Sequence, residues 1–330
     1  MMESAMKTMS KELTAGDRVS DLFICAAKDV RTDKNGNKYL VLRLVNAQGV
    51  IQGKKWRVDD DFIETFNAQD CIRVDATVKE YQGKLELDLG DIQPVPDEDV
   101  DIAALLPARP GEKMEPEEMQ ESLAKVIDSL ANPHLRALLD SLFRDEAFSD
   151  AFFKAPAAKG VHHNYIHGLA EHSLAVSRIA DAVAGQYADQ VNRDLLVTAG
   201  LLHDVGKIAE FNYTRAIEYS DQGRLLGHII LGEKLVSDAI DRLNEGGGAF
   251  PDELRLQLLH LVISHHGERE FGSPVEPHTL EGFILNHADN IDAKANIFMK
   301  LRAQAADSEA PWSEYHRLLE RFLYLRKAEE

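Results

Sequence analysis

The sequence predicts a chain of two domains, a small closed β-barrel followed by a larger all-helical domain. Between residues 17 and 95, apolar and polar residues alternate with a period of two, which is typical of half-buried strands. From about Glu117 onward, apolar residues recur at helical spacing, for example at Leu123, Ile127 and Leu130. A chain of 330 residues that is 44% hydrophobic is long enough to bury a core in each domain.

The first domain is predicted as five short strands and one short amphipathic helix. This combination within residues 17–95 favours a small closed barrel, with the OB-fold as the leading candidate. The alternating runs are residues 39–45, 72–79 and 85–89, the turn signals are residues 33–37, 47–49 and 82–84, and the helix is predicted at residues 60–66.

A change of composition marks the predicted boundary between the domains. Residues 96–116 contain four prolines and the acidic run Asp97–Asp101, which is typical of a linker. The remaining sequence predicts helices as far as Leu325, interrupted by a loop at Gly246–Gly248. We therefore expect a tail at 1–16, an OB-fold nucleic-acid-binding domain at 17–95, a linker at 96–116 and an all-α domain at 117–330.

The charge and composition of the chain argue against several classes of protein. A formal net charge of −19 argues against a protein that binds duplexes by broad phosphate neutralisation, although residues 17–95 are close to neutral with 12 basic and 14 acidic residues. No apolar run is long enough for a membrane span, and residues 1–16 lack the apolar core of a signal peptide. Two cysteines predict no disulfide framework, so we expect buried thiols and a cytoplasmic protein.

The most informative feature is an adjacent His203-Asp204 pair that follows an apolar run. An imidazole nitrogen and a carboxylate oxygen are both good ligands for a divalent metal. Asp289 lies among apolar neighbours, where a carboxylate without a partner would be costly and a cation is the simplest partner. Other histidines stand at the ends of predicted apolar helices. The full set of predicted metal ligands is His172, His203, Asp204, His228, His265, His266 and Asp289.

Lys207 is predicted to take part in catalysis together with Asp204. It follows Asp204 by three residues, about one helical turn, and could hold a phosphate beside the metal. An ordinary surface lysine is the alternative interpretation.

These residues resemble the HD-domain metal-dependent phosphohydrolases, whose pattern is His, His-Asp and Asp on a helical bundle. An OB-like barrel followed by this domain is similar to the YhaM-type 3′-to-5′ exoribonucleases. The segments that carry this similarity are 155–163, 168–172, 203–207 and 226–232. The resemblance implies a divalent centre of the manganese or cobalt type, single-stranded nucleic acid as substrate, RNA above DNA, nucleoside 5′-monophosphates as products, and an oligomer.

The additional His228 and His265-His266 resemble the subset of HD proteins with a two-metal centre. That resemblance implies two ions sharing one carboxylate, with a metal-activated hydroxide that attacks the phosphodiester. We assign His172, His203, Asp204 and Asp289 to the first ion. Asp204 would bridge to the second, which His228 and His265 complete, with or without His266. Mixed nitrogen and oxygen ligands suit Mn, Fe, Co or Zn better than Mg, which prefers oxygen ligands alone. Among these ions we favour Mn, Co or Fe, and Zn or Mg are the alternatives.

Candidate substrate contacts lie in both domains. OB-folds bind single strands by stacking bases on aromatic rings beside basic side chains. In the barrel these are Tyr39, Lys54, Lys55, Trp56 and Arg57, although Trp56 could instead be a core aromatic. In the helical domain they are Lys159 and His163, which lie in a loop-like segment before His172.

Two other functions remain open from the sequence. One is hydrolysis of a small nucleotide, such as a cyclic dinucleotide, by the same metal centre. The Gly-Tyr-Pro signature of cyclic-di-GMP enzymes is absent, and the corresponding residues are Gly272-Ser273-Pro274. The other is a non-enzymatic RNA-binding adaptor, against which the full set of ligands argues.

Overall fold

A computed structural model describes residues 13–106, 114–158, 165–213, 217–305 and 310–326. The contacts divide the chain into two compact units, one containing the barrel and one containing the helical domain. The strands are β1 (Arg18–Thr32), β2 (Lys38–Asn46), β3 (Gly49–Trp56), β4 (Cys71–Tyr81), β5 (Lys84–Pro94), β6 (Phe211–Asn212) and β7 (Glu218–Tyr219). The helices are α1 (Asp60–Ile63), α2 (Ile102–Leu105), α3 (Pro116–Asp128), α4 (Pro133–Phe143), α5 (Glu146–Lys154), α6 (Gly168–Gln186), α7 (Arg193–Leu202), α8 (Lys207–Glu210), α9 (Asp221–Glu245), α10 (Asp252–Ser264) and α11 (Leu280–Gln304).

The first unit is a closed barrel in the strand order β1-β2-β3-β5-β4. Neighbouring strands pair antiparallel, except that β3 and β5 close the barrel in parallel at Gly53↔Leu87 and Lys54↔Asp88. The one-helix, five-strand prediction is therefore confirmed, and the barrel is the OB-fold part of the predicted fold class. Helix α1 ends three residues earlier than the sequence predicted, at Ile63.

The apolar residues that alternate along the strands form the core of the barrel. Leu40, Leu42 and Leu44 of β2 are fully buried, as their period of two predicts. They join one apolar cluster with Phe23 and residues of β4 and β5. Cys25 and Cys71 are buried and form no disulfide, and burial raises the pKa of Cys25 to about 12, so that thiol stays protonated and unreactive.

The second unit is a helical domain in which α6 packs against α7 and α11, and α9 packs against α8 and α10. Polar side chains fix where several helices begin, because they accept hydrogen bonds from backbone N–H groups of the first turn. These capping residues are Asn132, Asp145, Asn192, Ser220 and Thr279. The predicted all-α domain of the fold class is confirmed by this arrangement.

Two segments differ from the sequence prediction. The strands β6 and β7 form a small antiparallel ribbon beside α8. The prediction of helices as far as Leu325 was wrong, because α11 ends at Gln304 and residues 310–326 form bends with isolated bridges. Pro311 cannot donate a helical hydrogen bond, and Glu320 has a positive φ of 50°.

Part of the predicted linker is ordered on the barrel. Residues 97–99 form a 3₁₀ turn, and α2 packs against β1 and β2. The domain boundaries at 16, 95 and 116 stay predictions. No helix in the described ranges is long and apolar enough to cross a bilayer.

Candidate metal centre

Five helices bring the predicted ligands together. His172 lies in the first turns of α6, and Asp289 lies on α11, which packs against α6. His203 caps the C-terminal end of α7, and His265 caps that of α10. Because these helices pack in one domain, residues far apart in sequence converge on one buried point.

One group of ligands surrounds His172. Its Nε2 atom lies 3.2 Å from Nε2 of His203, 3.4 Å from Oδ2 of Asp204 and 3.2 Å from Oδ1 of Asp289. Both imidazoles are fully buried and Asp204 is 2% exposed, whereas the side chain of Asp289 is 16% exposed. The donor atoms of His172, His203 and Asp204 all lie within 4.8 Å of one another, close enough to hold one divalent cation, and Asp289 contacts this group through His172.

A second group contains His228, His265 and His266. Their candidate donor atoms all lie within 4.8 Å of one another. His265 is fully buried, while His228 and His266 are partly accessible. The structure therefore brings together all seven predicted ligands, in two adjacent groups.

Asp204 lies between the two groups. Its Oδ2 atom is 3.4 Å from Nε2 of His172 and 3.5 Å from Nε2 of His203. Its Oδ1 atom is 3.4 Å from Nε2 of His228 and 3.5 Å from Nε2 of His265. Each carboxylate oxygen thus faces one group, which is the arrangement that a shared ligand requires.

Hydrogen bonds on the far side of each ring aim the imidazoles inward. The Nδ1 atom of every histidine in the two groups lies 2.7–3.1 Å from an oxygen acceptor, so Nδ1 can carry the proton and leave a lone pair on Nε2. The acceptors are Asp292 for His172, the carbonyl of Gly200 for His203, Glu210 for His228, the carbonyl of Val262 for His265 and the carbonyl of Phe271 for His266.

Unpaired polar atoms show that this site fits a cation. Oδ1 of Asp204, Nε2 of His228 and Nε2 of His265 are buried and have no hydrogen-bond partner. A buried polar atom without a partner is costly, and three such atoms face one another here. A divalent ion would satisfy all three at once.

Two of the imidazoles are held in the neutral form that can bind a metal. Burial lowers the pKa of His203 to about 3, against the opposing effect of the Asp204 carboxylate. Burial, together with the charges of His265 and His228, lowers the pKa of His266 to about 4. Both rings are therefore neutral at pH 7, which is the form that ligates metal.

His172 has the opposite tendency because carboxylates surround it. Burial would lower its pKa, but hydrogen bonds to Asp204, Asp289 and Asp292 outweigh burial and raise the pKa well above the ordinary range. Burial likewise opposes ionisation of Asp204, but the Lys207 ammonium and nearby imidazoles hold its pKa well below normal. The site concentrates negative charge around Nε2 of His172, where a cation would take the place of a proton.

Two glycines place His228 at the site. Gly227 has a φ of 72° and a ψ of 158°, which interrupts α9 directly before His228. Gly206 lies so close to the backbone of α9 that an added Cβ would be 2.0 Å from the carbonyl oxygen of His228. The absence of a side chain at Gly206 therefore lets the backbone that begins α8 approach α9, while Gly227 provides the positive φ at the interruption before His228.

Lys207 lies inside the site and not on the surface. It is only 7% exposed, and its ammonium forms an ion pair with Oδ2 of Asp204. The surface alternative is therefore wrong as a description of its position.

The predicted substrate residues have varied surroundings. Lys159 and His163 lie outside the described residues. In the barrel, the rings of Tyr39 and Trp56 stack with centroids 4.7 Å apart, and Trp56 is 48% exposed. Trp56 is therefore not a core aromatic.

The basic residues beside this stack are partly engaged. Lys54 pairs with Glu86 at 2.6 Å, and the ammonium of Lys55 donates to the carbonyl of Gly90. Arg57 follows the stack at the end of β3 and is exposed. The barrel thus offers an aromatic surface with a modest positive charge.

Sequence reasoning missed Asp292 and Glu210. Asp292 is three residues after Asp289, so it lies on the same face of α11, and that spacing is the one available signal. Glu210 is 18 residues from His228 and carries no comparable signal.

Comparisons with known proteins agree with this geometry. The profile of the HD domain matches residues 169–294, which include all seven predicted ligands. An exoribonuclease of Bacillus subtilis named 3′-5′ exoribonuclease YhaM is 32% identical over 86% of this chain and 87% of its own length. Proteins of the same name from Bacillus velezensis and a Geobacillus species are each 33% identical, over 84% and 86% of this chain and 86% and 84% of their own lengths.

Among solved structures, the second OB-fold domain of replication protein A from Methanococcus maripaludis matches 27% of this chain and 95% of that domain, with 24% identity and a TM-score of 0.23. The relationship to the bacterial exoribonucleases extends over most of both chains. The chain therefore belongs to the family of YhaM-type 3′-5′ exoribonucleases.

Proposed function

We propose that this protein is a metal-dependent 3′-to-5′ exonuclease that degrades single-stranded RNA and releases nucleoside 5′-monophosphates. The observation that carries the proposal is Asp204, whose two oxygens face two groups of histidines. The relatives that share most of this chain are named for the same activity. Single-stranded DNA is the second substrate to compare.

Two divalent ions fit the ligands best. His172, His203, Asp204 and Asp289 would hold the first, and Asp204, His228, His265 and His266 would hold the second. Five imidazoles with two carboxylates suit Mn, Co, Fe or Zn, while Mg prefers oxygen ligands alone. We favour Mn, Co or Fe because the family resemblance implies a centre of the manganese or cobalt type. Bound ions would polarise the scissile phosphate and lower the pKa of a coordinated water.

The residues of the chain prepare the site for that chemistry. The Nδ1 contacts hold the imidazole rings in place before substrate arrives, so little reorganisation is needed. Lys207 compensates the charge of Asp204 in a buried setting and supplies a fixed positive charge close to where the phosphate would bind. We assign it the role of stabilising the negative charge that develops on phosphate oxygens.

The barrel is proposed to guide the strand. The exposed face of Trp56, held by its stack on Tyr39, provides a platform for a base, and Arg57 lies next to it for a phosphate. Because such stacking tolerates any base, we expect little sequence preference.

An experiment that separates this function from its alternatives is a substrate panel. End-labelled single-stranded RNA, single-stranded DNA, cyclic dinucleotides and nucleoside polyphosphates would each be incubated with the full chain and Mn, Co, Mg or Zn. We expect stepwise shortening of RNA from the 3′ end with Mn or Co. Hydrolysis of a small nucleotide alone would contradict the exonuclease, and no hydrolysis with any metal would support the adaptor.

Trp56→Ala is expected to raise the KM for a long single-stranded RNA by about 5- to 150-fold, since one stacked base contributes roughly 1–3 kcal/mol. The effect should be smaller on a dinucleotide, which is too short to extend far beyond the scissile bond. Steady-state kinetics on oligonucleotides of increasing length measure it. Trp312→Ala is the matched control, because that tryptophan is 56% exposed and lies in the helical unit. Equal KM values for the two variants at every length would contradict a guiding role.

We also propose that the protein is cytoplasmic and assembles with copies of itself. Both cysteines are buried and reduced, as a reducing compartment favours. Light scattering on the purified full chain would measure the number of copies.

A further inference from the structure

Two carboxylates outside the ligand set are divided between the two groups of histidines. Oδ2 of Asp292 is 2.7 Å from Nδ1 of His172, and Oε1 of Glu210 is 3.1 Å from Nδ1 of His228. The remaining three histidines contact backbone carbonyls instead. Each group therefore contains one imidazole held by an anion.

We propose that Asp292 and Glu210 are positioning residues, each of which sets the cation affinity of one position in the centre. Asp292 acts on the inner position, defined by His172, His203 and Asp204 with Asp289. Glu210 acts on the outer position, defined by His228, His265 and His266 with Asp204. This inference rests on the two-ion centre of the proposed function.

The chemical reason is the difference between an anionic and a neutral acceptor. A carboxylate that accepts the Nδ1 proton fixes the tautomer and increases the electron density on Nε2 more than a carbonyl does. The ligating atom on the opposite side of the ring becomes a stronger base. Loss of such a partner typically weakens metal binding by about 10- to 100-fold.

Glu210 has a second role in the same place. Its Oε1 atom also accepts the backbone N–H of His228, at 3.1 Å, directly after the interruption of α9. One oxygen of Glu210 thus fixes both the imidazole ring of His228 and the backbone N–H at the point where α9 resumes after Gly227. Glu210 is itself 6% exposed, so water does not compete freely for these contacts.

The imidazoles of the two positions differ in burial. His172 and His203 of the inner position are fully buried, and its partly exposed ligand is Asp289, at 16%, whereas two histidines of the outer position are partly accessible, His228 at 14% and His266. An ion in the outer position should exchange faster with solution and meet the substrate first. Substitution of Glu210 should therefore change the weaker of two binding steps, and substitution of Asp292 should change the tighter one.

The test compares Asp292→Asn and Glu210→Gln in the full chain, because an amide keeps the size and an acceptor oxygen but removes the charge. Each protein is equilibrated at a series of buffered free Mn²⁺ concentrations, and bound Mn²⁺ is counted by mass spectrometry. We expect two binding steps in the unchanged protein. Asp292→Asn should shift the tighter step, and Glu210→Gln the weaker step, each by about 10- to 100-fold.

Asp194→Asn is the matched control. Asp194 has a 13% exposed side chain, the same as Asp292, and it pairs with Arg193 away from the ligands. Asp194→Asn should leave the affinities of both Mn²⁺ binding steps unchanged. Asp292→Ala and Glu210→Ala remove the acceptor as well as the charge and should weaken the same steps further, and thermal unfolding of every variant checks the fold.

Two variants that leave both binding steps unchanged, or that shift both steps equally, would overturn the inference. A single Mn²⁺ per unchanged chain would overturn it together with the two-ion centre. The proposed nuclease activity is judged separately, since a protein that shows both selective shifts but degrades no RNA would retain the positioning roles and lose the proposed substrate.

Discussion

Asp204→Ala is expected to reduce exonuclease activity by at least about 10³-fold, because loss of one electrostatic stabiliser alone costs about 10²–10³-fold and this residue is proposed to serve both cation positions. Its two oxygens are within 3.5 Å of four imidazole nitrogens, two in each group of histidines. Bound Mn²⁺ should fall as well. The activity is measured on end-labelled RNA, and the metal content by mass spectrometry of the same preparation.

Loss of the fold must be separated from loss of the ligand. The buried ammonium of Lys207 would lose its partner in Asp204→Ala, which could destabilise the domain by about 3–5 kcal/mol. Asp204→Asn keeps an oxygen for Lys207 while removing the charge, and it should be folded but inactive. Asp238→Asn, an exposed carboxylate paired with Lys234, is the control for the change in net charge. An Asp204→Asn protein with full activity and full metal content would exclude Asp204 from the centre.

The barrel followed from the sequence because its pattern is local. When apolar residues alternate with a period of two, the pattern indicates which residues face inward. The burial of Leu40, Leu42 and Leu44 agrees with that pattern. The stacking of Tyr39 on Trp56 could not be predicted, because it depends on the register in which β2 pairs with β3. Both rings were nominated as substrate contacts, but their contact with each other emerges only in three dimensions.

The candidate metal ligands were also accessible from the sequence, since His203 and His265 stand where apolar helices end and can project from buried ends. Their supporting partners were not. Asp292 is 120 residues from His172, and the carbonyl acceptors have no side-chain signature at all. Lys207 shows the same difficulty: its spacing from Asp204 suggested proximity but did not reveal that the ammonium is buried against the carboxylate.

The segment after α11 shows the limit of apolar spacing as a signal. Its large side chains, including Trp312, Leu318 and Phe322, are mostly exposed, so helical burial does not organise them. Pro311 and the positive φ of Glu320 are local obstacles to a helix, and they outweigh the apolar content.

Gly206→Ala is expected to destabilise the helical domain by about 3 kcal/mol, the upper end of the usual overpacking effect. The added Cβ would be 2.0 Å from the carbonyl oxygen of His228 and 2.5 Å from the amide nitrogen of Gly232. Both atoms belong to the backbone of α9, so no side chain can rotate away and the helix itself must move. For a domain of this size the melting temperature should fall by about 6–12 °C.

The same displacement should reach the metal centre. His228 would move away from Asp204, and a misplacement of about 1 Å typically costs about 10²-fold in rate. Metal binding at the outer position should weaken, while the inner ligands on α6, α7 and α11 keep their positions. Calorimetric melting and Mn²⁺ content of the Gly206→Ala protein measure the two effects independently.

Gly185→Ala provides the matched control for this substitution. Gly185 lies near the end of α6 with nothing within 4 Å of an added Cβ, so alanine there should leave stability unchanged or raise it by up to about 1 kcal/mol. A loss of stability in both variants would indicate a general intolerance of added methyl groups. If the Gly206→Ala protein instead has the same melting temperature as the unchanged protein and binds both ions, the close approach of α8 and α9 does not position His228. The ring would then depend on Glu210 alone, whose oxygen contacts both its Nδ1 atom and its backbone N–H.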